Sequence, residues 1–291
     1  MAAHAISPSK NLTGMLLPGG WKVIQLVPKN PRATGGWFSQ GYIVQAENGG
    51  KAFLKAIDYE DAAAAPDPAL QIKAMTDTYV FERELLSKCR DSNLDRVVRA
   101  IASGNVGSSP NDLVLYLIFE LADGDVRQHL FAAHQIDLAW RLRVLHQTAT
   151  GLRQLHSQGI AHQDIKPSNI LVFARVGSKI ADLGRAAAVG YNPPHDGFEV
   201  PGDHGYASPE LLYHLVLPDW KARRLGCDLY LLGSMIVYLF TGHGMTPLLV
   251  RHLSPVHPPA SGGDRMRMSC RTFATRSTTR STSSRQVCPS T

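Results

Sequence analysis

The sequence predicts an α+β chain in which a small antiparallel sheet comes first and helices follow. Strand-like runs crowd the first 122 residues, and two of them are joined by the hairpin signal Asn48-Gly49-Gly50. Between Leu138 and Ser157, apolar residues at 138, 142, 145, 149, 152 and 155 recur at spacings of three and four, the mark of one helical face. A third, mostly apolar run, Leu229 to Phe240, reads as a buried helix; it is too short for a membrane span, which needs about 20 residues.

Residues 1–20 are punctuated by Ser, Pro and Gly and read as a flexible lead-in. Trp21 to Val27 is rich in strand formers, and Pro28 to Gly36 breaks it. Phe38, Tyr42, Ile43 and Val44 form a second strand, and Ala52 to Ile57, carrying Lys55, a third. After an Ala-, Asp- and Pro-rich loop, a helix runs from about Ala69 to Cys89 with two glutamates, Glu82 and Glu84. At about 100° per residue these two face nearly opposite ways, so only one points inward. Leu86 and Cys89 share a face with Glu82; Val80 and Phe81 lie one turn before Glu84, and Lys88 is placed to form a solvent pair with Glu84. Val114 to Ala122 is a buried strand ending at Glu120. The helix 138–157 stops at Gly159 and delivers the chain to His162, and Met245 to Leu253 is a last helix.

The net charge of +6 is local. Residues 251–291 hold seven Arg and one acid, Asp264, so residues 1–250 balance to zero and the basic pI gives no support to nucleic-acid binding. Four scattered cysteines without CxxC or zinc spacing suit a reduced, cytoplasmic protein, with no signal peptide and no membrane partner expected.

The chemistry is concentrated in His162-Gln163-Asp164-Ile165-Lys166-Pro167-Ser168-Asn169 and in Asp182-Leu183-Gly184. A carboxylate can accept a hydroxyl proton, an ammonium two residues on can sit beside a phosphoryl group, and an amide and second carboxylate are hard ligands for magnesium. With Asp164 five residues before Asn169 and eighteen before Asp182, this order resembles the catalytic loop and metal-binding turn of eukaryotic-type serine/threonine protein kinases. The resemblance covers about residues 20–250 and is to members lacking the loop arginine, in a style similar to bacterial ones. It implies a two-lobe fold within residues 21–254, with an N-lobe over about 21–121 and an incomplete C-lobe over about 122–254. It also implies ATP and Mg2+ as cofactors and a protein as substrate. In this reading Asp164 and Lys166 are catalytic, and Asn169 and Asp182 hold metal. Gly36 and Gly41 take the first and third positions of a phosphate loop, with Phe38 for the middle glycine; by itself that stretch equally fits a plain hairpin. Lys55 pairs the phosphates, and the family's Phe-x-x-Glu spacing selects Glu84 as its partner. Phe53 stands where a small residue usually lies beneath adenine. Phe119, Glu120 and Ala122 border the base and Asp125 the ribose. Glu210, in Ala207-Ser208-Pro209-Glu210, and Asp228 are structural; as residues alone, Asp228 also fits a helix N-cap.

Departures from the family pattern point to regulation. Gln163 replaces an arginine that receives an activation-loop phosphate, and no Ser or Thr lies between Leu183 and Ala207. The segment is therefore expected not to be switched by Ser/Thr phosphorylation. Asp203 stands where threonine is usual, able to meet Lys166 but repelling Asp164. Residues 255–291 lose apolar periodicity and read as a disordered Arg/Ser/Thr-rich tail, or as a change of reading frame or truncation; the second is favoured because the middle helices would otherwise bare apolar faces. The rival function is a nucleotide-binding pseudokinase or scaffold, inactive because of Asp203 or a truncated C-lobe.

Overall fold

Alternation decides the sheet. In Ser39–Gln45 (β3) the buried positions are Gln40, Tyr42 and Val44, and in Lys51–Ile57 (β4) they include Ala52, Leu54 and Ala56. A period of two presents one apolar face. A computed structural model describes residues 7–29, 38–107, 112–132 and 137–253. Its main sheet also contains Leu16–Leu17 (β1), Trp21–Val27 (β2), Ala100–Val106 (β5) and Val114–Glu120 (β6), in the antiparallel order β1-β2-β3-β4-β6-β5. The turn at Asn48-Gly49-Gly50 closes the β3–β4 hairpin, with Gly49 at φ 83 and the Gly50 amide donating to the Asn48 side chain.

Residues 7–20 correct the expectation of a flexible lead-in. Leu12 and Leu17 are both 2% exposed and close the outer face of the sheet against Tyr42, Leu54 and Tyr116. Ser7 and Gln40 donate to the two oxygens of Asp58 at 2.7 and 2.6 Å. Leu12 and the short run Met15-Leu16-Leu17, set among Ser, Pro and Gly, make no periodic pattern, which is why the order was not visible. Residues 255–291, expected to be a tail or the product of a changed reading frame or truncation, lie outside the described residues.

The inner face of the sheet meets Pro68–Asp91 (α2), which follows the short Glu60–Ala63 (α1). Helix α2 is capped by Asp67 and buries Met75, Tyr79, Glu82, Leu86 and Cys89 along one stripe. Beyond β6 come Gly124–Asp125 (β7), Val126–Ala132 (α3) and the long Leu138–Ser157 (α4), capped by Asp137. Short strands Ile160–Ala161 (β8), Ile170–Phe173 (β9), Gly177–Ile180 (β10) and Ala187–Ala188 (β11) carry the loops between them. Pro209–Leu212 (α5), Trp220–Thr241 (α6) and Met245–His252 (α7) complete the helical lobe. One apolar cluster runs from α2 and β6 through α4 and β9 into α6, so both lobes share a core.

Helix α6 starts well before the predicted run, at the cap Asp219, so Asp228 lies in its interior and is not an N-cap. It is long and apolar enough to cross a membrane by length and composition. Its fully buried Asp228 and its Arg224, 5% exposed, instead face protein.

Candidate active site

Strand alternation turns Ala52, Leu54 and Ala56 to the outer core and leaves Phe53 and Lys55 facing the space between the lobes. Lys55 Nζ reaches Glu82 at 2.9 and 3.2 Å and Asp182 Oδ1 at 3.1 Å. Burial alone would lower the Lys55 pKa, but Asp182 and Glu82 together raise it. Asp182 is held down at about 2, chiefly by Lys55. Burial pushes Glu82 up against the opposing pull of Lys55. Glu84 is corrected by this geometry: it is exposed, and Lys88 donates to the Gln158 carbonyl instead of pairing with it. Glu82 lies on the stripe of Leu86 and Cys89, so packing the apolar face of α2 carries Glu82 inward.

The second group forms between β8 and β9. Asp164 and Lys166 are 6% and 5% exposed, and Lys166 Nζ lies 3.0 Å from Asp164 Oδ2 and 3.3 Å from Asp203 Oδ2. The Asp203 backbone N–H donates to Asp164 Oδ1 at 2.9 Å. That approach needs Gly202, where a Cβ would stand 2.4 Å from the Gln163 carbonyl oxygen. Lys166 therefore sits between the two carboxylates whose repulsion the sequence suggested. Burial raises the Asp164 pKa, with Lys166 opposing; for Lys166, burial lowers it, but Asp164 and Asp203 outweigh burial and raise it.

Asn169 donates from Nδ2 to the Asp164 backbone oxygen and Oδ2 at 2.8 and 2.9 Å. Its side-chain oxygen is left to accept, and Asp182, with its side chain 43% exposed, has a carboxylate open to the cleft. These two hard oxygens suit magnesium when phosphate oxygens complete the shell. No group of three His, Cys, Asp or Glu that could hold a metal by itself exists among the described residues.

Asp228 holds the loop from below. Its Oδ2 accepts the His162 N–H at 2.7 Å and Nε2 of His156 at 2.8 Å, and its Oδ1 accepts the Gln163 N–H at 2.7 Å. Gln163 is thereby kept at φ 67, a left-handed conformation that costs a side-chain-bearing residue about 1–3 kcal/mol. The Asp164 N–H donates to His162 Nδ1 at 3.2 Å, which leaves Nε2 protonated and donating to the Ala181 carbonyl at 2.9 Å. His162 ties the loop to the turn after β10 that carries Asp182. His156 as a third partner of Asp228 had no local signature in the sequence.

The remaining predicted positions are mixed. Gly36 lies outside the described residues. Gly41 pairs across from Lys55, and a Cβ there would meet the Phe53 ring at 2.9 Å. Phe53 pairs with buried Phe119, so an aromatic side chain stands on the cleft face of the sheet. Glu120 is tied to Lys179 at 2.7 and 2.8 Å, linking β6 to β10, and Ala122 follows two residues later, half-buried. Asp125 departs from its expected place: it is buried, and its Oδ1 accepts the Gln128 N–H at 2.8 Å, capping α3 rather than standing free for a sugar. Glu210 opens α5 without a cation partner among the described residues.

The family model described as "Protein kinase domain" matches residues 36–252. The chain belongs to the protein kinase domain family. It is 27% identical to a probable receptor-like protein kinase of Arabidopsis thaliana over 69% of this chain and 22% of that protein. It is 30% identical to calmodulin-binding receptor-like cytoplasmic kinase 1 of the same plant, over 56% of this chain and 34% of the relative. Cysteine-rich receptor-like protein kinase 2, again from Arabidopsis thaliana, is 31% identical over 57% and 24%. The chain spans about a fifth to a third of the length of these kinases. These relatives are plant proteins and give no support to the expected likeness to bacterial members.

Proposed function

We propose that this kinase domain transfers the γ-phosphoryl group of ATP to serine or threonine hydroxyls of a protein. The observation that carries the reading is Lys55, held at once by Glu82 and Asp182 with the Asp164–Lys166 pair on the opposite lobe. In the transfer, the hydroxyl oxygen bonds to the γ-phosphorus, the bond to the β–γ bridging oxygen breaks, and ADP leaves. Asp164 accepts the hydroxyl proton, and Lys166 meets the charge on the moving phosphoryl group. Lys55, oriented by Glu82, pairs the remaining phosphates. Magnesium, held by Asn169 and Asp182, would neutralise phosphate charge. Lys166-Pro167 favours Ser/Thr over Tyr as acceptor. The Asp203 contacts favour transfer over the pseudokinase rival, since its carboxylate and amide both support the Asp164–Lys166 pair. A cytoplasmic setting is consistent with relatives named receptor-like cytoplasmic kinases.

The test is incubation of the purified chain with Mg-ATP and a generic basic protein, beside Asp164→Asn and Asp182→Asn. Transfer by the wild type and loss in both variants is expected. An ATP-induced melting shift without transfer would leave a binding module, and neither shift nor transfer would sink both.

A further inference from the structure

Gln163 does not face solvent. Its Nε2 donates to the Arg224 carbonyl at 2.8 Å, and its Oε1 accepts from Arg224 Nη1 at 3.2 Å. Arg224, on α6, is 5% exposed, and its Nη2 forms an ion pair with Asp196. Beside Asp196, His195 is 2% exposed, and its Nε2 lies 3.0 Å from the Ala186 carbonyl oxygen. The His195 ring stands edge-on to Phe81 of α2 with centroids 6.0 Å apart, and Tyr191 meets the same ring at 6.1 Å. Lys88 of α2 lies 5.9 Å over Tyr191. Phe81 is the residue next to Glu82, the partner of Lys55.

We propose that Asp196 and Arg224, braced by Gln163, form a built-in latch. It fixes the segment 186–196 beneath α2 and so keeps Glu82 on Lys55 with no covalent modification. Both are positioning residues, since neither touches Lys55, Asp164 or Asp182. The physical reason lies with Arg224. A guanidinium this deeply buried needs a counter-charge, and Asp196 is the carboxylate that meets it. Asp196 itself is half exposed, so the pair sits at the surface end of a buried guanidinium, where it can form or break without opening the core. No Ser or Thr between residues 183 and 207 offers a modified side chain for the same task, and Asp196 supplies the negative charge permanently.

The effect of the latch on catalysis rests on the kinase reading, but its structure can be tested separately. Asp196→Ala and Asp196→Glu are compared with wild type in the full chain, by hydrogen exchange of residues 186–198 and of α2 around Glu82, and by kcat and KM for ATP. In Asp196→Ala, exchange in both stretches is expected to speed up by roughly tenfold or more while the protection of α4 is unchanged. KM for ATP is expected to rise and kcat to fall by a similar factor, with Asp196→Glu restoring exchange and rate. Unchanged exchange in the alanine variant, or failure of glutamate to restore it, would overturn the latch. A wild type with no transfer activity would sink the kinase reading while the exchange data still decide the latch.

Discussion

Lys55 has two acidic neighbours, and each does something different for it. Asp182 is open to the cleft and available to a metal, whereas Glu82 is 2% exposed and can only orient the ammonium. Removing the Glu82 charge therefore leaves Lys55 free to swing wholly onto Asp182. Glu82→Gln is expected to lower kcat/KM on the order of 10- to 100-fold, and Glu84→Gln to leave it within about twofold. Steady-state kinetics of the two variants side by side decides the matter; equal losses would contradict the assignment. The two glutamates also show what the sequence made legible. The helical stripe shared with Leu86 and Cys89 pointed to Glu82, and a spacing borrowed from relatives pointed to Glu84. The stripe was the better guide because burial of the apolar face physically rotates the helix. Asp164, Lys166, Asn169 and Asp182 were readable because they are close in sequence and their loops are short. The Arg224–Asp196 pair was not, because 28 residues separate its members and neither sits in a local pattern.

Among the elements, the segment after Asp182 is anchored through a histidine that folding keeps neutral. Burial lowers the His195 pKa to about 4, with the nearby Arg185 and Arg224 charges helping and hydrogen bonds to the backbone at Ala186 and Arg185 opposing. In the unfolded chain a histidine protonates near 6.5. Between those values the unfolded state binds the extra proton, so stability falls as pH falls from about 6.5 to about 4 and levels off below. The whole effect is at most about 3 kcal/mol. Urea unfolding from pH 7.5 to 4.5 should show this loss in the wild type and less of it in His195→Gln; parallel curves would refute the role. Element by element, helix α4 was legible to its ends, because a three-and-four spacing running into Gly159 leaves little choice, and Asp137 caps its start in the structure. Strand β5 was not, since Ala-Ile-Ala-Ser-Gly-Asn-Val at a sheet edge alternates only between exposed and half-buried positions. The first two turns of α6 were hidden by Lys221, Arg223 and Arg224, which look like loop chemistry until Asp219 is seen as the cap.

At the scale of the whole molecule, the shared core joins the two lobes, yet among the described residues an apolar stripe of α6 stays largely exposed. Leu229 is 61% exposed, and Ile236 and Phe240 are each 48% exposed, at positions one face of a helix presents together. Exposed apolar area of this kind promotes association. Leu229→Lys with Ile236→Lys is expected to reduce light scattering at micromolar concentration while moving the melting temperature by no more than a few degrees. Scattering unchanged from wild type would show that the stripe is not the cause. The architecture otherwise follows from the order of its elements. A sheet built from the first 120 residues carries Lys55, a helical lobe carries Asp164 and Asp182, and α2 crosses between them with Glu82.

The central claim is that these groups move a phosphoryl group onto an aliphatic hydroxyl. Phosphopeptide mapping of a generic basic protein after incubation with the chain and Mg-ATP tests it most directly. Phosphate on Ser and Thr, absent with Asp164→Asn, is the predicted result; phosphate confined to Tyr, or none despite an ATP-dependent melting shift, would contradict the account.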